Sequence, residues 1–424
     1  MSAQPADQWR SWQGLLALLS LALCGLLWLN GLLSSLERPS VSHALELRQQ
    51  ELAVLAEPAA APIWRRALLG ADPTDALRQQ LLKHAAAGVE AGLNESQQFT
   101  LSLLEQQPDL TLPPAPLSPL QQRLLCQRQG GSPERCIDLP AAQAALHRLL
   151  LISLAPVLLM LLGAALLVRQ LWLLWRRRLP APPPLLGPPL SLVQVTLVVA
   201  GGFVVLGELL VPLLLSPVVG WLLQPLAAQP LLLQATSVLL LYGLLMISPL
   251  LLLVLALRPL REPPAGGWLQ WRWRPWPSLL MRASAQLLMV LPLVALAGWL
   301  LQHLWADPSG SNPLLEMVLS NSSPQALLLL ASTALVLAPL FEETLFRGVL
   351  LPVLAQHWGP AWGIVLSAAC FALAHLSLGE LVPLFVLGLG LGWLRLQSGR
   401  LGSCALMHSL WNALTFANLL LLAG

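Results

Sequence analysis

Long apolar runs recur along most of the chain, separated by short segments rich in arginine, proline and tryptophan. A helix needs about 20 mainly apolar residues to cross the hydrocarbon core of a bilayer. Runs over 14–36, 149–175, 190–215, 231–257, 279–305, 325–346, 361–376, 381–396 and 403–422 approach or exceed that length. The pattern predicts an all-α polytopic membrane protein with about nine transmembrane helices, the later ones shorter. The first run starts like a signal sequence, but it is too long for one and no small-x-small site follows closely. We read 1–36 as an uncleaved anchor. Residues 37–147 differ: they hold most of the acidic residues, Gln-rich helical stretches such as Thr74–Val89, and a Pro-rich break from Pro108 to Pro119. That composition predicts a helical soluble domain. Residues 148–189 then supply a second span and a Pro-rich linker, and 190–424 a membrane domain.

Composition sharpens this division. Hydrophobic residues make up 56% of the chain and charged residues 10%, against about a quarter charged in soluble domains. With a mean hydropathy of +0.69, lipid must be the solvent for much of the chain. A net charge of +3 gives no reason to expect nucleic acid. Lys83 is the only lysine, and the bias toward Leu, Ala, Pro and Arg suggests a GC-rich genome. The expected location is therefore a bacterial inner membrane or another internal bacterial membrane. Cys24, Cys370 and Cys404 lie in apolar runs as inert thiols. Cys126 and Cys136 lie in the polar segment and can pair if it is outside the cytoplasm.

Arginine placement orients the spans. Arg176, Arg177 and Arg178 follow the second run; Arg258, Arg261, Arg272, Arg274 and Arg282 fill the loop after the fourth; Arg347 ends the sixth, and Arg395 and Arg400 the eighth. The loops at 216–230 and 306–324 contain no Lys or Arg. This alternation puts the N-terminus inside, with the soluble domain and the C-terminus outside. Trp268, Trp271, Trp273 and Trp276 alternate with Arg272 and Arg274 and are expected to anchor at the interface.

Ionisable groups within spans are costly and therefore mark function. Three clusters stand out in the last hundred residues. Glu343 and Arg347 are i and i+4 with the acid first, the favourable order for a pair, while Glu342 points about 100° away. Pro339 upstream removes a backbone donor and can open the helix to water. Phe371 and His375 form the second cluster, His408 and Asn412 the third, each pair on one helical face. His303 is set aside as a packing residue.

Glu342-Glu343-x-x-x-Arg347, Phe371-x-x-x-His375 and His408-x-x-x-Asn412 resemble, intact and in order, the three signatures of the CAAX-protease and bacteriocin-processing (Abi) family. The resemblance is strong over about 320–420 and extends in outline over 190–424. It implies an intramembrane endopeptidase acting on membrane-associated proteins or peptides. It also implies Glu342 and His375 as base and water-positioner, His408 and Asn412 as oxyanion donors, and Glu343 with Arg347 as the frame. Such hydrolysis requires no cofactor, although zinc held by Glu342, His375 and His408 remains an alternative. A non-proteolytic membrane protein on the same fold (a transporter, immunity or scaffold protein) is the other reading. A transporter would be expected to show internal repeats, and none is evident between 149–305 and 325–424. The runs place Glu342 and His408 toward the cytoplasmic leaflet and His375 toward the outer one. Their convergence requires 361–396 to form a tilted or partly penetrating hairpin.

Cysteines introduced near residue 90 should be labelled from outside the membrane, and those near 265 only from the cytoplasm; labelling of both from one side would contradict this topology.

Overall fold

The structure, a computed structural model, describes residues 11–38, 41–86, 93–107, 116–132, 135–260, 262–305 and 313–423. No strand occurs among them. The elements are α1 (Ser11–Ser35), α2 (Val41–Ala56), α3 (Pro62–Leu69), α4 (Pro73–Ala86), α5 (Glu95–Leu104), α6 (Pro119–Arg128) and α7 (Leu139–Trp175). They continue with α8 (Leu192–Leu222), α9 (Pro230–Leu257), α10 (Trp276–Leu304), α11 (Pro313–Ser320), α12 (Pro324–Leu373), α13 (Leu378–Ser398) and α14 (Leu401–Ala423). Among the described residues, eight helices are long and apolar enough to cross a membrane. The protein is an integral, all-α polytopic membrane protein.

The expected runs 325–346 and 361–376 fall on the two arms of α12, separate helices joined at a kink. Its two arms meet at Gly359, which has φ 85. Glycine enters this region without a Cβ clash, and Pro360 cannot donate a backbone hydrogen bond across the corner. At 1.5 Å per residue the first arm is about 50 Å long and the second about 20 Å. The second is shorter than a core of about 30 Å, whereas α13, with 21 residues, is long enough to cross it.

Two arginines used to orient the chain prove to be internal groups. Arg347 does not end a span; it lies within the first arm of α12, fully buried. Arg395 is also fully buried, and its Nη2 donates to the Leu186 carbonyl at 2.7 Å. The orientation rests on the remaining arginines.

The chain divides into two compact units, one of residues up to Arg38 with Leu159–Phe416, the other of 39–158 with the residues from Ala417. In the first, α1 packs on α8, α8 on α9, α9 on the start of α12, and α13 on both α10 and the second arm of α12. Its core includes Val198, Phe203, Phe341, Phe346 and Phe371. In the second, α2, α4 and α6 bring Leu47, Val54, Leu77, Leu81 and Leu120 together. Asn94 with Gln97, and Ser118 with Gln121, form capping boxes that start α5 and α6. The helical stretch expected at Thr74–Val89 is α4, described as far as Ala86; of the Pro-rich break, 108–115 lie outside the described residues.

Cys126 and Cys136 are joined in a disulfide, with Cα atoms 5.5 Å apart. Cys24, Cys370 and Cys404 are free. Peptide mapping of protein from its native membrane without reductant should recover the Cys126 and Cys136 peptides linked. Reducing a loop this short should destabilise the domain by about 2–3 kcal/mol, seen as faster limited proteolysis; two free thiols in the native protein would overturn the pairing.

Candidate active site

Side chains from several helices converge on Phe371. Its ring lies 4.3 Å below the Arg347 guanidinium carbon, 4.8 Å from the His375 ring and 5.7 Å from the His408 ring. The structure thus gathers Glu342, Glu343 and Arg347 from the first arm of α12 with His375 from the loop just after its second arm and His408 from α14.

Glu343 and Arg347 are completely buried, and Arg347 Nη1 donates to Glu343 Oε1 at 2.8 Å. The same carboxylate oxygen faces His408 Nδ1 at 3.0 Å. Arg347 Nη2 also donates to the Gly388 carbonyl on α13 at 3.3 Å. Cation–π contact with Phe371 adds to its fixation. Isolated charges cannot persist in such a place; paired and hydrogen-bonded ones can.

Glu342 is held differently. Its side chain is 15% exposed, and Tyr242 Oη donates to its Oε1 at 3.0 Å. Its Oε2 is buried without a hydrogen bond and faces His408 Nε2 at 3.9 Å. One oxygen is anchored and the other is left open, on a carboxylate adjacent in sequence to one whose Oε1 serves two partners.

His375 Nδ1 donates to the Phe371 carbonyl at 2.8 Å. A carbonyl only accepts, so this bond places the proton on Nδ1 and leaves Nε2 with its lone pair. Among the described residues, no hydrogen bond joins Asn412 to the other groups. Its Nδ2 donates to the Ala334 carbonyl at 2.7 Å, within a π-helical stretch of α12, Thr333–Leu337. A second π-helical stretch, Thr344–Leu350, contains Arg347. Such widened turns favour functional sites. The helix continues through Pro339, which is buried between these two stretches.

Two groups were missed. Tyr242, on α9, is the chain's single tyrosine, and an isolated hydroxyl in an apolar run gives little signal. Glu208, on α8, is an acid inside a span and was readable on that ground. It interacts with Glu342 and with the Trp28 indole of α1, the latter more loosely than a hydrogen bond. Ionisable groups of the site are therefore not confined to the last hundred residues. Among the described residues, no three His, Cys, Asp or Glu side chains group as metal ligands.

Residues 324–414 match the family model described as type II CAAX prenyl endopeptidase Rce1-like. This segment is an Rce1-like domain. It contains all three motifs and falls in the family that they resembled, one of CAAX-type intramembrane endopeptidases. Residues 42–112 match a domain of unknown function, DUF8675. An uncharacterized 24.3 kDa protein of Escherichia coli is 33% identical over 103 residues, which are 23% of this chain and 48% of that protein. The chain spans about half the length of that curated relative. No solved structure matches.

Within the Rce1-like domain, the two carboxylates should respond differently to substitution. Removing one partner of a buried pair costs about 3–5 kcal/mol, so Glu343→Ala and Arg347→Ala should lower the melting temperature and folded yield of the purified protein. Glu342→Gln, at a partly exposed group that retains an acceptor for Tyr242, should melt like the wild type. Early melting of Glu342→Gln beside a stable Glu343→Ala would reverse the assignment.

Proposed function

We propose that the protein is an intramembrane endopeptidase that hydrolyses membrane-associated proteins or peptides with water activated by Glu342 and His375. The observation that carries this reading is that Glu342, unlike the fully buried Glu343, is partly exposed, with Oε1 tied to Tyr242 and Oε2 left without a hydrogen bond. A general base needs a lone pair aimed at the proton it removes, held in one orientation. Oε2 would take a proton from water as the water oxygen attacks the peptide carbonyl. His375 Nε2, whose lone pair is set by the bond from Nδ1 to Phe371, would orient that water.

The oxyanion formed needs donors placed in advance. His408 can donate from Nε2 when it is an imidazolium, and Glu343 and Glu342 flank it at 3.0 and 3.9 Å. Asn412 Nδ2 has two hydrogens, and the bond to Ala334 uses one. The other is available to the oxyanion. The proton held on Glu342 then passes to the leaving amine. Glu343 and Arg347 keep these groups in register. Zinc held by Glu342, His375 and His408 is the alternative to this metal-free route. The bilayer supplies the substrate by lateral diffusion, and a bacterial inner membrane suits the composition.

The test is cleavage of a peptide library in liposomes by purified protein. Wild type should retain activity with chelator present. Glu342→Gln and His375→Ala should lose about 10²–10⁴-fold, the range for a general base, and Asn412→Ala about 10²–10³-fold, as for one oxyanion donor. Tyr242→Phe should lose about tenfold, since a hydrogen bond to a charged group contributes about 1.5–3 kcal/mol. Full activity in Glu342→Gln would sink the mechanism; loss on chelation, restored by zinc, would replace it with a metal-dependent one.

A further inference from the structure

Helix α1 lies outside the Rce1-like domain, yet its C-terminal end meets the loop that carries His375. This loop joins the second arm of α12 to α13, and Leu376, next to His375, has φ 50. A leucine holds a left-handed backbone only where its surroundings over-determine it. Here they come from α1 and the residues just after it. Arg38 Nη2 donates to the Leu376 carbonyl and to the Gly31 carbonyl at 3.3 Å, tying the loop back to the helix. The Leu378 backbone N–H donates to Ser35 Oγ at 3.2 Å.

That amide is one of the first donors of α13, which have no partner within their own helix. Ser377 Oγ accepts from the Glu380 amide, and Ser35, a residue on a different helix, accepts from Leu378. Ser35 is fully buried, and its own hydroxyl donates to the Leu32 carbonyl at 2.7 Å, so its donor and acceptor roles are both used. The Leu376 side chain sits against Gly31, where a Cβ would stand 2.9 Å from Leu376 Cδ1.

We infer that Gly31, Ser35 and Arg38 form a clamp on the 374–378 loop that positions the His375 imidazole, which makes the N-terminal anchor part of the catalytic apparatus. His375 and Leu376 are adjacent, so a loop free to rotate at Leu376 would let the imidazole leave the Phe371 carbonyl. The three clamp residues are positioning residues that act through His375. The proposal rests on the proteolytic reading above in so far as His375 acts on water.

The test combines hydrogen exchange and kinetics on the full chain in nanodiscs. In Ser35→Ala and Arg38→Gln, amides of 374–380 should exchange about tenfold faster, the effect of losing one hydrogen bond, while those of α14 keep their protection. Ser35→Thr and Arg38→Lys keep the hydroxyl and the cation, and should restore protection. In the peptide-library assay, kcat should fall about tenfold in the first pair with KM unchanged, and recover in the second. Unchanged exchange at 374–380 overturns the clamp. So does faster exchange throughout the chain that Thr and Lys fail to restore. Faster loop exchange with unchanged kcat overturns its role in positioning His375. If the wild type cleaves nothing, the exchange data still decide the clamp, and the fault lies with the proteolytic reading.

Discussion

The bond between Glu343 and Arg347 is the constraint on which the membrane domain depends. Neither side chain has any exposed surface, and in that setting an unpaired charge would be several kcal/mol more costly than a paired one. Each partner then recruits others. Glu343 takes His408 of α14, and Arg347 takes the Gly388 carbonyl of α13 and the Phe371 ring. One ion pair therefore sets the relative positions of α13, α14 and both arms of α12. Glu342 inherits its place from this frame: the next carboxylate along α12 occupies a different face and meets α9 through Tyr242.

The backbone around that frame obeys a second constraint. Inside a bilayer, main-chain carbonyls need partners within the protein. Each π-helical stretch has a carbonyl bonded by a side chain beyond the local turn. Gly202, in a π-helical stretch of α8 at Leu197–Leu210, accepts from Ser248 at 2.8 Å, Ala334 from Asn412 at 2.7 Å, and Phe346 from Ser367 at 2.9 Å. Arg395 Nε donates to the Arg347 carbonyl at 3.3 Å. The widened turns thus cross-link helices. The same bond gives Asn412 its orientation, so any donation to substrate draws on a side chain already fixed from its other hydrogen.

Local spacing made part of the site legible. An acid and a base four residues apart must share a helical face, which pointed to Glu343 with Arg347, and the same rule linked Phe371 with His375, whose imidazole bonds the Phe371 carbonyl. The short runs at 361–376 and 381–396 allowed a partly penetrating hairpin, and the structure makes the first of them the short arm of α12 beyond the corner at Gly359. Hydropathy had no means of showing that Arg395 would be drawn inward. Charge at the end of an apolar run looks alike whether it meets water or a carbonyl. Tyr242 and the contacts of Ser35 and Arg38 lay beyond reach for another reason. Their partners are 100, 343 and 338 residues away, and no periodicity connects such positions.

The single tyrosine has a consequence of its own. Most proteins of this length scatter phenols over surface and core, so an optical or isotopic signal from tyrosine averages many environments. Here every tyrosine photon and every tyrosine resonance comes from one hydroxyl, bonded to Glu342. The protein carries a built-in reporter beside Glu342, and changes there can be followed in the unmodified chain without introducing a probe.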